Sequence, residues 1–169
     1  MELQSLEQLS YIGEIIASFA VVISLIYLAF QVKQNTSSLR MQTVHQLSSH
    51  YVEAQASLAH DKDLCEIYHR GVFKFDELDP LEQMRFSFKL ASFLRIFDEL
   101  HFQYGEGSLD RSVWNGMNSV VNDMIRFQGF RAVWNLRGHQ YSREFQDYIN
   151  RMLETGPAGK TSMYPDLER

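Results

Sequence analysis

Ile15-Ile-Ala-Ser-Phe-Ala-Val-Val-Ile-Ser-Leu-Ile-Tyr-Leu-Ala-Phe-Gln-Val32 runs for 18 residues without a charge, and how it is read decides what kind of protein this is. Eighteen or more apolar residues with no charge make a transmembrane helix the default reading. Extended back to Tyr11, the helix is about 33 Å long at a rise of ~1.5 Å per residue, enough for a hydrocarbon core of about 30 Å. A cleaved signal peptide wants a basic n-region and a small-residue cleavage site, whereas the residues before this run include Glu2, Glu7 and Glu14 and no Lys or Arg. A buried core helix can be this apolar all round, but a single small domain has little other surface with which to wrap it. A helix lying in the membrane interface needs a strongly charged face, and this one has none.

Working outward, the chain is built of two unlike parts. Its 169 residues, 45% hydrophobic and 22% charged, average to an ordinary globular composition that excludes disorder and a multi-span membrane protein. Of the 21 acids only three precede residue 33, while all 16 Lys and Arg follow Val32. Lys33 and Arg40 come next, with no acid until Glu53. The positive-inside rule then predicts a single-pass protein with its N-terminus outside and its C-terminal domain cytoplasmic. One cysteine, Cys65, cannot form an intramolecular disulfide, which agrees with a reducing compartment; it reads as a buried or idle thiol.

Beyond the span the sequence reads as helices. Val44, Leu47, Tyr51, Ala54 and Leu58 step by three and four on a helix continuing from the apolar run. Asp61 predicts the cap of a short helix closing at Gly71. Asp79-Pro80-Leu81-Glu82 supplies an N-cap, a proline at N1 and an acid at N3. The helix it opens carries Phe86, Leu90, Phe93, Leu94, Phe97, Leu100 and Tyr104 and stops at Gly105-Glu-Gly107. Asp110 opens a helix predicted to run to Gly129, a shorter one holds Phe130, Val133 and Trp134, and Ser142 opens the last. The expected fold is therefore all-α: an N-terminal transmembrane anchor over 1–34, an antiparallel cytoplasmic helical bundle over 35–155, and a frayed tail over 156–169.

The run Gly13 to Thr36, with Gln103-Tyr-Gly-Glu-Gly-Ser-Leu-Asp110 and Trp114 downstream, resembles a widespread uncharacterised family of bacterial single-span membrane proteins with a helical cytoplasmic domain. The likeness covers nearly the whole chain, and its more specific element is Gly-x-Leu-Asp-x-x-x-Trp at Gly107, Leu109, Asp110 and Trp114. It implies bacterial origin and an inner-membrane location. That family has no established activity, so no functional residue carries over.

Local motifs point away from catalysis. Glu66-x-x-His69 has di-iron spacing, but such a site needs a second Glu-x-x-His and two further Glu, which the sequence lacks. His45, His50 and His60 do not share an i, i+4 face. There is no Gly-rich phosphate loop, no Gly-x-Ser-x-Gly and no His-Glu-x-x-His. No cofactor is expected. Residues 53–110 are acidic and 111–151 basic; Arg126, Arg131 and Arg137 near Trp134 form a candidate lipid-facing group. A domain that is acidic overall is a poor nucleic-acid binder.

Two further groups stand out. Arg95, Asp98 and Glu99 lie within the aromatic-striped helix, where Arg95 and Glu99 have i, i+4 spacing; they are a candidate ligand or partner site. In the apolar run, Gly13, Ala17, Ala20, Ser24, Tyr27 and Gln31 step by four, three, four, three and four. Small residues let helix backbones approach in lipid, so this face is expected to pack on another span. The sequence thus supports a membrane-anchored, non-enzymatic interaction module, a homo-oligomer or accessory subunit of a membrane complex, whose partners are the bilayer and another span. The alternatives are a cytoplasmic sensor or enzyme with a pocket between helices, and a pore lined by Glu14 and Ser18.

Overall fold

A computed structural model describes residues 2–157, with the backbone alone for 2–12, 15 and 16. Six α-helices account for nearly all of it: α1 (Glu2–His60), α2 (Lys62–Lys74), α3 (Pro80–Gly105), α4 (Arg111–Met124), α5 (Gln128–Arg137) and α6 (Arg143–Thr155). Single 3-10 turns sit at Phe75–Glu77 and Gly138–Gln140, and no strand occurs among the described residues. The chain is therefore all-α. It divides into two compact units, Met1–Thr43 and Val44–Arg169.

In the first unit, α1 is long and apolar enough to cross a membrane: an 18-residue window has mean hydropathy 1.5, and none of it is buried against the rest of the chain. Every side chain from Ala17 to Val32 is exposed. The hydroxyls of this stretch turn back on their own helix. Ser18, Ser24, Thr36, Ser38 and Thr43 each donate to the carbonyl four residues earlier, at 2.8–3.1 Å.

In the second unit α3 is the central element, contacted by α2, α4, α5 and α6. Its Phe86, Leu90, Leu94 and Phe97 are almost wholly buried, each worth about 1.5–3 kcal/mol of hydrophobic stabilisation. The C-terminal part of α1 adds the expected seam, with Leu47 buried and Val44, Tyr51, Ala54 and Leu58 packed on the core.

Caps fix where these helices begin. Asp61 accepts from the Leu64 amide, Asp110 from Ser112, and Ser142 from Phe145. Asp79 accepts from the Leu81 and Glu82 amides while Glu82 accepts from the Asp79 amide, a closed capping box behind Pro80. At the end of α3, Gly107 takes φ +66°, the left-handed conformation that glycine adopts without a Cβ clash.

Two glycines expected as stops are instead buried inside helices. Gly71 lies within α2, which continues to Lys74, and Gly129 within α5, since α4 already ends at Met124. A Cβ on Gly129 would overlap the Gly71 carbonyl, and one on Gly71 would overlap the Phe86 ring. Glycine is therefore what lets α2, α3 and α5 meet at this point. Of the expected tail, Gly156 takes φ +77°, and 158–169 lie outside the described residues.

Candidate functional site

The expected packing face of the first unit keeps all its members outward. Gly13, Ala17, Ala20, Ser24, Tyr27 and Gln31 are exposed, and nothing lies within 4 Å of where a Gly13 Cβ would stand. Two of its polar side chains bond within the helix. Ser24 Oγ donates to the Ala20 carbonyl at 2.8 Å, and Gln31 Nε2 donates to Tyr27 Oη at 3.0 Å. Such self-sufficiency suits a low-dielectric medium, where an unpaired donor costs several kcal/mol.

In the second unit the candidate triad divides. Arg95 does not pair with Glu99. Its Nη1 lies 3.1 Å from Asp98 Oδ2, its Nη2 donates to the Gln140 carbonyl at 3.1 Å, and its guanidinium stands 4.8 Å from the Tyr141 ring centroid. Asp98 is buried and accepts from the Ser142 hydroxyl at 2.5 Å and, more loosely, from the Ser142 amide. A carboxylate beside the first turn of α6 also meets the positive end of that helix. Arg95 and Asp98 thus tie α3 to the start of α6, whereas Glu99 is exposed and accepts from Gln103 at 2.8 Å.

The expected lipid-facing group also divides. Trp134 is buried, its indole N–H donating to Asn150 Oδ1 at 2.9 Å and its ring stacked on Tyr141, so it is a core residue. Arg126 is mostly covered and lies 3.9 Å from Asp123. Arg131 is exposed, and Arg137 rests on the Phe88 ring at 4.7 Å. Cys65, expected to be buried or idle, is exposed. In Glu66-x-x-His69, the acid pairs with Lys62 at 3.5 Å and the imidazole packs on Phe73.

Two titratable groups in the core were not singled out by sequence. Lys89 is buried on α3, donates to the Ala54 carbonyl and Ser57 Oγ, and lies 4.9 Å from the Phe93 ring centroid. Burial lowers its pKa. The signal available was its position, one residue before Leu90 and four before Phe93. His101 packs against Trp114, Phe145 and Tyr148, and burial lowers its pKa as well. Neither belongs to a group that could hold a metal ion: no cluster of three or more His, Cys, Asp or Glu occurs among the described residues.

Clefts in this unit are small or open. One of about 90 Å³ is lined by Tyr51, Leu58, Phe93 and Met124 among others. A wider groove of about 390 Å³ runs past Met84, Leu136 and Arg137. No family model, curated protein or solved structure matches the chain.

Proposed function

We propose that this is a single-pass, membrane-anchored helical interaction module without enzymatic activity, acting as a homo-oligomer or an accessory subunit of a membrane complex. The observation that carries the reading is the bare apolar helix: Ala17–Val32 has no charge, and each of its side chains is exposed. In water these side chains would leave an apolar surface far beyond what monomeric proteins tolerate. In lipid the same surface is solvated and its hydroxyls are already bonded.

On this reading the N-terminus lies outside, and residues 35–155 form a helical bundle on the cytoplasmic side of a bacterial inner membrane. The lone exposed Cys65 reports that topology directly. A membrane-impermeant maleimide is expected to leave Cys65 unlabelled in intact cells and to label it after permeabilisation; labelling of intact cells reverses the orientation. The span associates through Gly13, Ala17, Ala20, Ser24, Tyr27 and Gln31. Cross-linking in mild detergent is expected to capture an oligomer that Ala20→Leu with Ser24→Leu disperses, and a strict monomer removes this part of the proposal. A ligand site at Arg95, Asp98 and Glu99 draws less support, because the Arg95 and Asp98 groups are already bonded to the chain.

A further inference from the structure

Where α1 leaves its uncharged stretch, Leu25, Leu28, Val32, Asn35 and Leu39 step by three, four, three and four, the spacing of a coiled-coil seam. All five are exposed. Leu28, Gln31, Val32 and Asn35 stand at i, i+3, i+4 and i+7, the four corners of a hole into which a facing helix sets a side chain. An open groove of about 470 Å³ lies over these four residues, with Gln34 and Ser38 beside them. Gln31 is drawn back one turn, its Nε2 donating to Tyr27 Oη at 3.0 Å.

A second copy of this chain is the occupant that fits. Copies inserted the same way into one membrane lie parallel, and in a parallel two-fold pair each seam residue meets its own counterpart. Leu25, Leu28, Val32 and Leu39 therefore meet apolar side chains, and Val32 of one copy is the knob that enters the hole on the other. Val32 and Leu28 occupy the a and d positions of the heptad, a combination that favours two strands. The flanking Ala29, Gln31, Thr36 and Ser38 are uncharged, and Lys33 and Arg40 fall on neither seam nor flank, so no like charges meet. Asn35 has no side-chain hydrogen bond among the described residues, although Gln31, Thr36 and Ser38 around it each bond within the helix. Across the two-fold axis its amide N–H donates to the carbonyl of its own counterpart, a pairing that fixes register and strand number. Asn35-Thr36-Ser37-Ser38 are weak helix formers, yet α1 runs through them unbroken. A partner helix is what supports such a sequence in water.

We infer that the end of the span and the helix just beyond it form a parallel, in-register, two-stranded coiled coil between two copies of this chain, with Val32 as its central knob and Asn35 paired with itself. The pairing rests on the reading of α1 as a membrane span, which sets the copies parallel, and it makes the partner a second copy. Its face borders the stripe from Gly13 to Gln31, shares only Gln31 with it, and leaves the rest of that stripe for another span.

The test uses the full-length chain in carbonate-washed native membranes, with Cys65→Ser as background and single cysteines oxidised by oxygen with copper phenanthroline. Asn35→Cys and Leu39→Cys are expected to give disulfide-linked dimers in several-fold higher yield than Ser37→Cys and Met41→Cys, which are equally exposed but off the seam. On the Leu39→Cys chain, Asn35→Asp sets two carboxylates face to face and is expected to cut the cross-link about tenfold. Asn35→Leu at the same site is expected to preserve it, so a loss confined to aspartate reports the pairing rather than folding. Equal yields at the four positions, a maximum at Ser37 or Met41, or a Leu39 yield indifferent to Asn35→Asp overturns the inference. A Ser24→Cys chain separates the two faces: cross-linking at Ser24 with flat yields from 35 to 41 leaves the small-residue stripe standing and removes the coiled coil. Loss of the chain from the washed membranes overturns the span reading itself, whereas flat yields in membranes that retain it overturn only the coiled coil.

Discussion

Two apolar helical stretches, Ala17–Val32 of α1 and Phe86–Leu100 of α3, differ chiefly in where charge is placed. Along α3, Arg85, Lys89, Arg95, Asp98 and Glu99 interrupt the aromatic stripe, and Phe86, Leu94 and Phe97 are fully buried against other helices of the unit. The stretch of α1 has no charge and no buried side chain. Apolar content alone therefore does not distinguish a core helix from a membrane helix; the distribution of charge around the helix does. In α3 the charged residues mark which faces meet water or a polar partner. In α1 no face is so marked, which is what a uniform apolar solvent permits.

The largest effect should come from breaking that contrast. Val22→Arg with Ile23→Arg puts charge at the middle of the span at a cost of about 2.5–3.5 kcal/mol for each Arg. The protein is expected to leave the membrane fraction on centrifugation; retention there would mean the stretch does not span. Next comes a matched pair of phenylalanines. Phe97→Ala, at a fully buried site, is expected to cost about 3–5 kcal/mol in denaturant unfolding. Phe19→Ala, at an exposed one, should cost under about 0.5 kcal/mol. Similar losses at both sites would mean that the uncharged stretch Ala17–Val32 is packed on other apolar side chains.

Smaller effects sharpen the description of the second unit. Gly129→Ala forces α5 away from the Gly71 carbonyl and is expected to cost about 1–3 kcal/mol in thermal unfolding, as overpacking does. An unchanged midpoint would show that the two helices part easily. The least effect concerns pH. Burial holds the His101 pKa below its ordinary 6.5, with Arg151 acting the same way and the Asp98 and Glu144 carboxylates opposing. The unfolded chain then binds this proton at higher pH than the folded one. The stability from neutral His101 is therefore fully present above pH 6.5 and is lost as pH falls through 6.5 toward the lowered value. His101→Gln is expected to flatten the fall in thermal midpoint between pH 7 and pH 5, and an equal fall in both proteins would remove the assignment.

Helix starts were legible because a cap is a local device: Asp61, Asp79 with Glu82, Asp110 and Ser142 each bond an amide two or three residues on. The seam from Val44 to Leu58 and the aromatic stripe of α3 were legible for the same reason, since helical periodicity survives folding unchanged. What depended on distant contacts was not. Gly71 and Gly129 read as stops because close approach between helices leaves the same residue type as a chain end. Spacing alone favoured Arg95 with Glu99, but Ser142, 44 residues beyond Asp98, draws Asp98 into the node that Arg95 joins. Trp134 read as part of a lipid-facing group with Arg126, Arg131 and Arg137, but its indole donates to Asn150 on α6 and its ring is buried. Of the candidate site residues, those on α1 are exposed together with every other side chain from Ala17 to Val32, so their exposure does not single out one face.

The central claim, that the uncharged stretch of α1 lies in a membrane, is tested most directly by fractionating the full-length protein through an alkaline carbonate wash. An embedded helix stays in the membrane pellet after the wash and leaves it only with detergent. Recovery of folded protein in the detergent-free supernatant would contradict the account.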